Sequence, residues 1–174
     1  MKNFRNINIL FVFLFVITPF SSDSHGPSRQ KVIKEIELNA TIDDVWKVIS
    51  NFKDMSWHPD VAKVDSEGDG IGTKRIIQFK NGKNIIQSLE KIDAEKKKIT
   101  WRITKTDLDI MPVNSYSANI FLNSNKGKTN LKYKVAFYRG FMGNDPPEDL
   151  NDENSKKKVN EFIEKGLDGL KSKF

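Results

Sequence analysis

The sequence predicts an α+β fold in which a curved antiparallel sheet of six to seven strands wraps a long C-terminal helix, with two short helices after the first strand. Three observations carry that expectation. Apolar residues alternate with polar ones through most of residues 61–137, and short turns rich in Gly, Asn or Asp interrupt them. Helical spacing occurs in two places only, around residues 42–55 and 155–172. The chain has 174 residues, 37% hydrophobic and 30% charged, which suits one soluble domain with a core of useful size.

The N-terminus reads as a leader outside that fold. Lys2 and Arg5 give a basic start, Ile7 to Phe20 is almost wholly apolar, and Ser21, Ser22 and Ser24 make a small-residue exit. An apolar run this short, with these flanks, fits a secretory signal peptide over residues 1–24 better than a spanning helix, which needs about 20 apolar residues. Cleavage after Ser24 starts the mature chain at His25-Gly26-Pro27, with the domain over 25–174, a periplasmic location and no membrane span.

The elements follow in order. Val32 to Leu38 reads as a strand. Thr41 is placed to cap a helix with Asp44 as its capping-box acid, and Ile42, Val45, Trp46, Ile49 and Phe52 share one helical face. A second short helix or turn runs through Phe52 to Met55 and stops at Trp57-His58-Pro59, because proline disfavours helix at the residue before it. Val61 to Val64 starts the alternating region, Gly68, Gly70 and Gly72 turn the chain, and Ile77 and Phe79 share a face. Asn81-Gly82 predicts a type I′ hairpin to the strand Ile85–Ile92. Ile99, Trp101 and Ile103 form the next inward face, then Tyr116, Ala118, Ile120 and Leu122, then Leu131, Tyr133, Val135 and Phe137. After the loop 139–154, Val159, Phe162, Ile163, Leu167 and Leu170 make the apolar stripe of the last helix.

Several function classes are excluded or weakened. Without cysteine there is no disulfide, thiolate chemistry, iron–sulfur cluster or cysteine zinc site. The net charge of +6 falls to +5 without residues 1–24; export argues against nucleic acid and leaves attraction to an acidic protein partner. No Gly-x-Ser-x-Gly elbow or Gly-x-Gly-x-x-Gly turn accompanies the two histidines, His25 and His58, so no catalytic residue and no cofactor is assigned. A mature chain beginning at His25 offers an amine and an imidazole to copper, with His58 as a third ligand, although a terminus is usually mobile; no metal site is assigned on that basis.

The motifs resemble a known superfamily. The opening strand followed by residues 40–52, Ala-Thr-Ile-Asp-Asp-Val-Trp-Lys-Val-Ile-Ser-Asn-Phe, is similar to the signature of the helix-grip fold shared by the START, Bet v 1 and polyketide-cyclase proteins (SRPBCC). Residues 51–59, residues 112–116 (Pro-Val-Asn-Ser-Tyr) and above all residues 136–153 resemble the periplasmic MxaD-type proteins of methanol oxidation, with the likeness running from about residue 25 to 171. The resemblance implies a non-catalytic accessory protein that promotes electron transfer between methanol dehydrogenase and its cytochrome c acceptor. It carries over no catalytic residue.

Two site expectations follow. Tyr138, Arg139, Phe141 and Met142 join apolar area to a guanidinium, and Asp145, Glu148 and Asp149 add acids that can steer a basic partner, so 138–153 is a candidate partner-binding segment. The alternative is that the acids favour the N-terminus of the last helix through its dipole. The helix-grip resemblance also implies a cavity between sheet and helix, with Trp57, His58, Trp101, Tyr116 and Tyr133 as candidate lining. Trp57-His58 is then a polar mouth, or His58 simply caps a helix end; the aromatics line a cavity or only pack. This supports a second function, a periplasmic carrier or sensor of an apolar small ligand. A cyclase or dehydratase would need an acid/base pair, for which Glu90 with His58 is the nominee; Glu90 and Arg102 are also near enough in strand order to be cross-strand partners, or else face solvent singly.

Overall fold

The computed structural model describes residues 26–174. The leader, the expected cleavage position and His25 lie outside the described residues. The chain runs through β1 (Gln30–Leu38), α1 (Ile42–Ile49), β2 (Val61–Glu67), β3 (Lys74–Phe79), β4 (Asn84–Asp93), β5 (Lys98–Lys105), β6 (Val113–Asn125), β7 (Lys128–Arg139) and α2 (Asp152–Lys173), with one 3-10 turn at Glu148–Leu150. The strands form one antiparallel sheet in the order β1-β7-β6-β5-β4-β3-β2. Register shifts interrupt the β2/β3, β4/β5 and β6/β7 pairs, and such bulges bend strands and help the sheet curve. The helix-grip architecture is therefore present.

One sheet face and one helix stripe make the core. Ile77, Ile85, Leu89, Ile99, Trp101, Ala118, Ile120, Leu131, Val135 and Phe137 point inward from successive strands and are buried. Val159, Phe162, Ile163, Leu167 and Leu170 of α2 meet them, as the helical spacing required. Thr41 caps α1: its hydroxyl accepts from the Asp44 amide at 3.3 Å and donates to the Asp44 carboxylate at 2.6 Å. Asn151 caps α2 by accepting from the Asn154 amide at 2.8 Å.

Two local expectations change. Residues 51–60 form turns, so the second short helix is absent. Their backbone bonds span three residues, Asp54 to Asn51 and His58 to Met55, and the Asp54 carboxylate takes the Ser56 amide that a helix would use. The hairpin at Asn81-Gly82 is not type I′. Gly82 has φ +82° while Asn81 stays at negative φ, and Phe79 bonds both Gly82 and Lys83, which is a three-residue loop closed by a glycine bulge.

Candidate ligand site

Inward alternation along β3 and β4 places more than apolar residues inside. Arg75 shares its strand face with Ile77 and Phe79, and Gln87 lies directly across the β3/β4 ladder between Ile85 and Leu89. Both are buried, and Arg75 donates from Nε and Nη2 to Gln87 Oε1 at 2.9 and 2.7 Å and from Nη1 to the Phe52 carbonyl at 3.2 Å. Its guanidinium carbon sits 4.2 Å from the Phe52 ring centre and 5.4 Å from that of Trp101.

Trp101, Tyr116 and Tyr133 complete this cluster. Trp101 faces Ala118 on β6, and this small side chain leaves room for the Trp101 and Tyr133 rings to approach with centroids 5.6 Å apart. Arg75, Gln87, Trp101, Tyr116 and Tyr133 are all between 1% and 3% exposed. Yet Trp101 Nε1 has no hydrogen-bond partner within the protein, and the Tyr116 and Tyr133 hydroxyls have none beyond each other. A buried, unpaired polar group costs about 1–3 kcal/mol, so a cluster this short of acceptors is a feature to be explained.

Burial sets the protonation of the cluster. It brings the Arg75 guanidinium down to about 10, against the pull of Tyr133, Tyr116 and Asp54, so the group is still a cation at neutral pH. Burial pushes the Tyr133 phenol up to about 12, with Tyr116 and Arg75 opposing, and raises Tyr116 well above the ordinary range, reinforced by Tyr133. Both phenols are therefore protonated donors.

The Pro-Val-Asn-Ser-Tyr motif forms the bulge that aims Tyr116. Ser115 adopts φ +48°, and the β6/β7 register shifts between Asn114 and Ser117, so Val113 and Tyr116 both face inward although three positions apart. A left-handed serine costs of order 1 kcal/mol and is held in place by its surroundings. β5 and β6 stop pairing beyond Arg102–Ser117, and a recess of about 300 Å3 opens at that fork, lined by Ile103, Thr106, Leu108, Val113, Ser115 and Tyr116.

The five residues expected to line one cavity divide into two groups. Trp57 and His58 belong to a second packed cluster and form no mouth. The His58 ring stacks on Phe162 at 4.5 Å and meets Phe79 edge-on; its Nε2 lies 3.0 Å from the Phe162 carbonyl and its Nδ1 accepts from the Asp60 amide at 3.2 Å. Burial lowers the imidazole below its ordinary value, Phe162 and Asp60 oppose this, and Lys165 adds to it. The neutral ring is the stable form and donates from Nε2. Two glycines of α2 make this approach possible: a Cβ on Gly169 would lie 1.9 Å from the Trp57 carbonyl oxygen, and one on Gly166 would lie 2.9 Å from the Trp57 ring.

The nominated Glu90–His58 pair does not form. Glu90 alternates onto the outer sheet face, where it pairs with Arg102 across the β4/β5 ladder, while His58 is buried against α2. The cross-strand expectation for Glu90 and Arg102 is met. Among the described residues, no group of three His, Asp or Glu side chains converges as a metal site.

The 138–153 segment has an exposed tip and a buried anchor. Phe141 and Met142 are 37% and 50% exposed, and Asp145, Glu148 and Asp149 are exposed beside them. Tyr138 is half-buried on the outer face under the Arg29 guanidinium, at 5.6 Å. Arg139 is corrected from a contact residue to a structural one, because its inward parity on β7 buries it to 5% exposure. It donates from Nε to the Phe141 carbonyl at 2.8 Å and from Nη2 to the Gly143 carbonyl at 2.7 Å, and pairs with Asp152.

Arg75 and Gln87 were missed from the sequence, although a signal was present: both occupy the parity of the apolar residues Ile77, Phe79, Ile85 and Leu89.

Known proteins agree with this architecture. An uncharacterised protein of Bacillus thuringiensis superposes with a TM-score of 0.70 at 20% identity, covering 83% of this chain and 98% of its own. The protein XoxI of Bacillus cereus gives 0.70 at 20% identity, covering 83% and 94%. Norcoclaurine synthase of Thalictrum flavum, solved with dopamine and hydroxybenzaldehyde, gives 0.62 at 15% identity over 96% and 95%. At these identities the likeness is one of fold. No curated protein sequence matches the chain. The family described as "Polyketide cyclase / dehydrase and lipid transport" matches residues 29–174, which span the whole sheet and both helices, and the chain belongs to that family.

Proposed function

We propose that this domain is a non-catalytic carrier or sensor of a small, largely apolar molecule, held between the sheet and α2. The observation behind this reading is a buried polar cluster short of acceptors, with Trp101 Nε1 unpartnered and the Tyr116 and Tyr133 hydroxyls left only to each other, beside the Arg75–Gln87 pair. A packed core gains nothing from donors left without acceptors, whereas a ligand that bonds to them recovers their desolvation cost. The recess at the β5/β6 fork borders Tyr116 and gives such a molecule a way in. The test is mass spectrometry of the denatured protein after detergent-free purification. A co-purifying small molecule in near-stoichiometric amount, which quenches Trp101 when added back to the emptied protein, is the expected result. A protein that yields no compound and binds no apolar probe is not a carrier.

A second role is favoured by the loop ahead of α2. Two large apolar side chains, Phe141 and Met142, stand exposed on a loop that Arg139 holds from beneath. A pre-ordered tip loses little entropy on docking. With the MxaD-type resemblance, this supports an accessory that residues 1–24 export to the periplasm, where it joins methanol dehydrogenase and cytochrome c. Phe141→Ser with Met142→Ser is then expected to weaken capture of either partner at least tenfold with the melting temperature kept. Unchanged capture removes the docking role.

A further inference from the structure

The geometry points to the charge of the ligand: we propose that the Arg75 cluster receives the carboxylate head of a small apolar acid, whose tail extends toward the β5/β6 fork. This rests on the reading that the interior holds a small molecule. The argument is a count of donors against acceptors. A guanidinium has five N–H groups. In Arg75 two go to Gln87 Oε1 and one to the Phe52 carbonyl, which leaves two. Trp101 Nε1 and one of the two phenols, the other being directed at its neighbour, add two more donors. Against these the cluster offers no free acceptor except the phenol oxygens themselves.

The charge count agrees. The buried Arg75 has no carboxylate bonded to it. Asp54 is near enough to favour the cation, but its two oxygens accept from the Ser56 amide and hydroxyl at 2.8 and 3.1 Å. An alcohol or ester satisfies one or two donors and leaves the cation uncompensated; an amine adds a second positive charge. A carboxylate offers four lone-pair sites in a plane and neutralises the guanidinium. The Phe52 and Trp101 rings lie beside the guanidinium but carry no charge to offset it.

The experiment compares acids with alcohols of the same skeleton by titration calorimetry on the full domain: octanoate against 1-octanol, and 3-phenylpropanoate against 3-phenylpropan-1-ol. In at least one pair the acid is expected to bind about tenfold or more tightly, which corresponds to about 1.4 kcal/mol or more. Arg75→Met is expected to erase that ratio. Tyr133→Phe, which keeps the ring and removes one donor, is expected to reduce it severalfold, and it carries the test if Arg75→Met fails to fold. Equal binding of acid and alcohol in both pairs overturns the charge assignment and leaves the carrier reading standing. Binding of none of the four, with no co-purified compound, overturns both.

Discussion

Arg139 Nη1 lies 2.9 Å from Asp152 Oδ2, and this pair ties the end of β7 to the first turn of α2. The same guanidinium bonds the carbonyls of Phe141 and Gly143, so one buried side chain holds the loop at both ends.

Removing that anchor is expected to be costly. Arg139→Ala takes away a charge-paired group and leaves two loop carbonyls and the partly exposed Asp152 without it. Breaking a buried pair costs about 3–5 kcal/mol, and the exposure of Asp152 puts this case near 3. Arg139→Lys is expected to recover little, because an ammonium cannot fork between carbonyls and a carboxylate. Urea denaturation measures both; a loss below about 1 kcal/mol for Arg139→Ala contradicts the anchoring role.

His58 is expected to make the domain acid-sensitive. Burial depresses its folded pKa below 6.5, so the unfolded chain binds the proton more readily. The stability due to the neutral ring is fully present above about pH 6.5 and is lost as the pH falls from there through the folded pKa. Protonation puts a hydrogen on Nδ1, where the Asp60 amide already donates. Denaturant midpoints measured downward from neutral pH are expected to fall more steeply for the wild type than for His58→Gln. Parallel curves would show that His58 contributes nothing to the slope.

Gly169→Ala is expected to destabilise although alanine is the better helix former by about 1 kcal/mol. Its new methyl meets the Trp57 carbonyl oxygen at 1.9 Å, and backbone cannot swing aside as a side chain can. Gly166→Ala meets the Trp57 ring at 2.9 Å and is expected to cost less. Overpacking typically costs about 1–3 kcal/mol, with Gly169→Ala at or above the upper end. A melting temperature unchanged in Gly169→Ala would mean that α2 and the 57–59 turn are not in firm contact.

The fold was legible because its signals are local and repeated. Ile99-Trp101, Tyr116-Ala118-Ile120-Leu122 and Leu131-Tyr133-Val135-Phe137 alternate without a break, and the α2 stripe has no competing period. The turns were less legible: Asn81-Gly82 allows two hairpin geometries, and Asp54 and Ser56 divert a segment whose apolar spacing looks helical. The site was half legible. Trp101, Tyr116 and Tyr133 could be placed inside by parity, but Arg75 sits beside Ile76 and Ile77, and a basic residue next to two isoleucines reads as solvent-facing until strand register is known. Arg139 misled for the same reason, since burial of an arginine depends on partners such as Asp152 and the loop carbonyls.

The Arg75–Gln87 pair is expected to show opposite effects on stability and binding. Gln87→Leu alone removes the acceptor of two guanidinium N–H groups and leaves a buried cation short of partners, at about 3 kcal/mol. Arg75→Met together with Gln87→Leu removes the charge and its partner and fills the space with hydrocarbon, which is commonly neutral or stabilising by about 1–4 kcal/mol. The double variant is therefore expected to melt at or above the wild-type temperature while losing preference for an acid. Stability kept together with loss of the preference for an acid would mean that the pair serves binding at the expense of stability. A double variant less stable than either single one would instead assign Arg75 to the scaffold, and the cycle of four proteins, read by melting temperature and by acid preference, separates the two outcomes.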